Sequence, residues 1–197
     1  MLLAKCCHDL DLLCWFNNET KPVSVASMGA RTNLVKENAP KDAADRCPFC
    51  PHYETCIYSA KSLYLLNDLF PHYSFAGINK PHDQITMEEK IEALKTNDPF
   101  GECIYKTNAN VVDHQSLILP FANGSTATHN MISAVPRPGR SIHIIGTEGE
   151  IEGFFEYGTY TVRKQKFESS WYEKREVDVS NMIDRTVGHG GGDSLLI

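Results

Sequence analysis

Two short stretches hold most of the side chains able to do chemistry. In KCCHDLD, Lys5, His8 and Asp9 recur at i, i+3 and i+4 and so share one face of a helix. A histidine exchanges a proton readily near neutral pH, which makes His8 the candidate catalytic acid–base group. Lys5, one turn earlier, is the candidate catalytic charge beside it. Asp9 is a candidate substrate contact, and with Asp11 it could also orient the helix through hydrogen bonds. The plainer readings stay open: a surface histidine, and a Lys5–Asp9 pair worth roughly a few tenths of a kcal/mol.

The second stretch is Cys47-x2-Cys50-x-His52-x3-Cys56. Three thiols and an imidazole are the donor set of a structural Cys3His zinc site, and C-x2-C is the usual knuckle spacing. All four donors nevertheless lie within ten residues rather than in two separated pairs. Free or buried cysteines and a disulfide are therefore alternatives to metal.

Further polar groups follow. Asp113-His114 stands near a strand start, where neighbours point to opposite faces, so one at most should face a pocket. His114 is the candidate substrate contact, against a core or surface histidine. In GHGGGD, His189 and Asp193 sit in a glycine loop that lets backbone approach a ligand closely. Asp193 serves equally well as the N-cap of a helix beginning SLLI.

These groups need elements to position them. Residues 2–16 form an amphipathic helix whose apolar side is Leu3, Cys6, Cys7, Leu10, Leu13 and Cys14. VSVASMGAR alternates as a strand. Residues 33–58 form a cysteine-rich excursion, polar and broken by prolines. Helix returns over residues 59–69, and Thr86 with Glu89 is a capping box opening a helix that Asn97-Asp98-Pro99 stops. CIYKT, VVDHQSLILPF and STATHNMISAV then read as strands, the last two joined by the hairpin signal Asn123-Gly124. SIHIIGT, GEIEGFF, TYTVRKQ and KREVDV continue the run. The expectation is one α+β domain over residues 1–197, with an open, mostly antiparallel sheet and helices packed on one face.

Composition narrows the class. The net charge of −6 argues against a nucleic-acid partner, and the cluster Arg163, Lys164, Lys166 reads as a solvated strand face. No apolar run approaches the ~20 residues that span a bilayer, and Lys5, His8, Asp9 and Asp11 interrupt any signal-peptide core. Seven cysteines, an odd number with Cys6 and Cys7 adjacent, fit a reducing cytoplasm better than a disulfide scaffold.

Five stretches in order carry a resemblance: AKCCHDLDLLCW, CIYKTNANVVDHQ, FANGSTATHNM, GRSIHIIGTEGEIEG and GHGGGD. Together they resemble the carboxy-terminal domain of the glucose–fructose oxidoreductase / inositol dehydrogenase (Gfo/Idh/MocA) family. The resemblance implies an open-sheet half that shapes a sugar or polyol pocket and often forms homo-oligomers through the sheet. It also implies NAD or NADP, held by a Rossmann half that would precede the abrupt opening helix; the chain itself has no strand–G-x-G-x-x-G–helix. His8 matches the family histidine beside the reacting hydroxyl. The family aspartate four residues before it is Ala4 here, which leaves Lys5 as the nearby charge. Thr20-Lys21-Pro22 follows the wrong element to be the family's catalytic Glu-Lys-Pro. Hydride transfer at a carbinol and glycoside cleavage through transient oxidation by NAD both remain open. So do a non-catalytic oligomerisation or ligand-binding module and, as a third reading, a zinc-stabilised interaction domain.

Overall fold

The computed structural model describes residues 5–71, 73–167 and 171–183. It is α+β, with two open antiparallel sheets of three and four strands. The chain divides into two compact units, Met1–Ala134 and Val135–Ile197.

In the first unit, α1 (Cys7–Phe16) precedes β1 (Ala26–Ala30), and a long irregular stretch separates them from α2 (Met87–Lys95), β2 (His114–Pro120) and β3 (Thr126–Ile132). The sheet order is β1-β2-β3. The β2–β3 hairpin pairs Leu117 with His129 and Leu119 with Ala127, so these four side chains share one face. Leu10 of α1 packs against the core that Leu117, Leu119 and Phe121 form on that face. The Asn123-Gly124 turn works as expected. Gly124 takes φ of +87°, its N–H donates to the Phe121 carbonyl, and the Asn123 side chain accepts from Ser125 N–H.

A second core lies under the irregular stretch. Phe75 and Leu94 are fully buried among Cys47, Ala60 and Ile85, with Tyr64 and Phe100 meeting edge to face at its margin. Residues 61–66 are wound as a π-helical segment rather than a regular α-helix. The capping box of α2 is present, Thr86 accepting from Glu89 N–H and Glu89 from Thr86 N–H. Buried Asp98 then ends the helix region, accepting from Phe100 N–H at 2.8 Å and Phe75 N–H at 3.1 Å.

The second unit is a meander, β4 (Ser141–Gly146), β5 (Gly149–Phe154), β6 (Thr159–Gln165) and β7 (Tyr172–Asp178), paired in that order. Its register sets Ile144, Ile151 and Val162 side by side on one face. On the other face Arg163 pairs with Glu150 and Glu152 at 2.7 and 3.1 Å, and His143 reaches Glu150.

Two expectations about strands change. CIYKT is a turn, because Cys103 N–H donates to Asp45 O and Lys106 N–H folds back to Cys103 O, leaving no edge to pair. The strands also do not form one continuous meander. Pro136 and Pro138 fall between β3 and β4, and proline lacks the N–H a ladder requires. No helix among the described residues is long and apolar enough to cross a membrane.

Candidate functional site

The opening helix sorts its polar side chains by depth. Lys5, in the turn leading into α1, and His8 on its first turn are exposed. The Lys5 ammonium stands 5.4 Å from the centre of the Tyr73 ring, a cation–π contact. Asp9 is largely covered and turns toward the sheet, where its carboxylate lies 3.5 Å from His129 Nε2. Cys6 is buried beside them. One donor atom each from Cys6, Asp9 and His129 lies within 4.8 Å of the others, the one such trio among the described residues. His129 Nδ1 is buried with no hydrogen-bond partner.

Helical spacing alone groups Lys5 with His8 and Asp9. The structure separates Asp9 from the two exposed groups and gives it a strand partner instead. That partner is His129, whose inward position, with Ala127 and Met131, follows from alternation after the Asn-Gly turn.

Asp113 and His114 do not diverge. Asp113 lies one residue before β2, outside the pleat, and its Oδ1 sits 2.9 Å from His114 Nδ1. The same carboxylate accepts N–H bonds from Thr32, Asn33 and Leu34. Burial by itself would raise the pKa of Asp113. The bonds from Leu34, His114, Asn33 and Thr32 outweigh it and hold the carboxyl well below the usual carboxylate range. With Nδ1–H given to Asp113, the half-exposed His114 ring keeps Nε2 as its basic nitrogen. The β2 register sends His114 with Ser116 and Ile118 to the face opposite Leu117 and Leu119. His8 rides on a helix that covers the Leu117 face, so sheet alternation does not bring the two histidines together.

The cysteine motif is gathered around a small pocket. Cys47, Cys50 and Cys56 line it with His52, and so does Cys103 from a distant part of the chain. Cys47, Cys50, Cys56 and Cys103 are in no disulfide. Burial pushes the Cys47 thiol pKa up, against the lowering effect of the N–H bond from Ala60. Nearby Cys56 and Cys50 add to the rise. His189 and Asp193 lie outside the described residues.

Chemically, then, the first unit offers an exposed imidazole and an exposed ammonium at the start of a pinned helix, a carboxylate-held imidazole at a strand end, and a thiol pocket. No protein-family model, curated protein or solved structure matches this chain.

Proposed function

We propose that this chain is the substrate-binding half of an NAD(P)-dependent sugar or polyol oxidoreductase of the Gfo/Idh/MocA kind, working in the cytoplasm. The observation that supports it is the opening helix. α1 is anchored on its sheet side by Leu10 and by the Asp9–His129 pair, while His8 and Lys5 face outward from a fixed support. A general base needs that combination of rigid footing and access.

Every strand pair among the described residues is antiparallel, so they contain no strand–glycine turn–helix of the parallel kind that holds a pyrophosphate. The nicotinamide, when bound on a separate dinucleotide-binding half, would accept the hydride of the carbinol carbon. On this chain, the His8 imidazole takes the hydroxyl proton and Lys5 supplies positive charge near the developing alkoxide.

The test is to assay the full gene product containing this chain with NAD+ and NADP+ against a panel of aldoses, ketoses, inositols and polyols. Reduced-nucleotide absorbance should rise with at least one of them. No turnover across the panel, with sugar binding also absent by calorimetry, would refute the reading. It would favour the second one, a non-catalytic module assembling through the Ile144–Ile151–Val162 face.

A further inference from the structure

We infer that Cys47, Cys50, Cys56 and Cys103 are the four ligands of one structural zinc ion. Cys103, 47 residues beyond Cys56 in the chain, takes the place that spacing alone would give to His52. The inference goes beyond the oxidoreductase reading and does not depend on it.

The local geometry is that of a knuckle. Residues 47–49 form a 3-10 turn with Pro48 inside it, closed by Cys50 N–H to Cys47 O at 3.0 Å. Side chains at i and i+3 eclipse in such a turn, so Cys47 and Cys50 present their thiols on one side. The second pair comes from two places. Cys56 follows a turn in which its N–H donates to His52 O at 2.8 Å. Cys103 is carried in by the isolated bridge between Arg46 and Glu102 and by its own N–H bond to Asp45 O at 2.8 Å. The backbone therefore already supplies the two separated pairs that the linear motif lacked.

The chemistry of the pocket fits a soft divalent ion. Its room is about 20 Å³, enough for one water-sized body. Ala60 N–H points at Cys47 Sγ from 3.2 Å, the kind of donor that stabilises charge on a metal-bound sulfur. Each thiol would give up its proton on binding, leaving a ZnS4 centre with two net negative charges. His52 is the weaker fourth donor. It follows Cys50 after a single residue, tighter than the two-to-four-residue gaps of zinc ligands. Its Nε2 is also committed to the Lys41 carbonyl at 2.7 Å.

The sulfurs are splayed around the pocket: no three of them lie within 4.8 Å of one another. Zinc at ~2.3 Å from each would bring them to about 3.8 Å. Binding would therefore draw the side chains inward, and a change of one χ1 well moves a cysteine sulfur by roughly 3 Å. The ion would tie residues 45–56 to residues 99–103, two segments without strand or α-helix that flank the Phe75–Leu94 core. That gives the long polar excursion a reason to hold its shape.

Metal content of the full gene product, purified without chelator, should be one zinc per chain. Native alkylation read by mass spectrometry should leave Cys47, Cys50, Cys56 and Cys103 unmodified until a chelator is added, while exposed Cys7 reacts at once. Cys103→Ser should lower zinc affinity at least ~100-fold, and His52→Ala should keep it within a few-fold. A metal-free protein that takes up no added Zn2+ at micromolar concentration would overturn the inference. So would protection of Cys6 in place of these four, which would put the ion at Cys6–Asp9–His129, or zinc loss on His52→Ala with none on Cys103→Ser. The alkylation pattern is read on the unmutated protein, so it decides the matter even if Cys103→Ser does not fold.

Discussion

Asp113 Oδ2 accepts the backbone N–H of Asn33 at 2.7 Å, joining the start of β2 to the residues that follow β1 across 80 positions of sequence. Thr32 and Leu34 donate to the same carboxylate, so three consecutive amides that leave the sheet are satisfied by one side chain. Asp113 is thus an anchor for the start of the cysteine-rich excursion as well as the partner that orients His114.

Asp113→Ala should therefore cost about 2 kcal/mol in denaturant unfolding, since it removes a buried carboxylate that accepts three part-buried amides. The folded-state pKa of Asp113 is depressed, so its stabilisation is complete above the unfolded value near 4 and is lost as pH falls below that toward the folded value. Unfolding curves between pH 2 and pH 6 check the sign. Asp113→Asn should flatten this part of the acid limb; an unchanged slope would show that other carboxylates carry it.

His8→Ala in the full gene product should lower kcat by ~100-fold or more, the scale of a lost general base, with KM for the sugar little changed. Circular dichroism should be unaffected, because His8 lies on the exposed side of α1. Equal losses in stability and activity would make His8 a structural residue.

Gly101→Ala should destabilise the first unit by about 2–3 kcal/mol. A methyl there would run into the Leu94 carbonyl oxygen and the Arg46 guanidinium, both rigidly held because Arg46 donates to that same oxygen. Gly77→Ala, where a methyl meets nothing within 4 Å, is the control and should leave the melting temperature within a degree or two.

The face carrying Ile144, Ile151 and Val162 is the expected seat of a second copy, since an isologous contact needs one self-complementary patch. Sedimentation velocity at micromolar concentration should show a dimer or a higher oligomer, and Ile151→Lys should shift it to monomer while the far-ultraviolet spectrum stays the same. Monomeric unmutated protein would rule the contact out.

Local patterns were enough to read much of this protein. The Thr86–Glu89 capping box, the Asn123-Gly124 hairpin and the alternation of β4 to β6 depend on neighbours a few residues apart, and residue type dictates them directly. The α+β class follows from the order of those elements. What depends on distant pairing could be seen only in the fold. CIYKT has a strand's composition but no free edge to pair with, and two prolines divide the sheets. Asp9 looks outward on a helical wheel, yet meets His129 because α1 lies on the Leu117 face. Cys103 is 53 residues from Cys50 and shares its pocket because Arg46 bridges Glu102 and Cys103 N–H donates to Asp45 O. Residue types and spacing determined which groups could bond. Chain closure over tens of residues, set by burial of apolar faces, decided which of them meet.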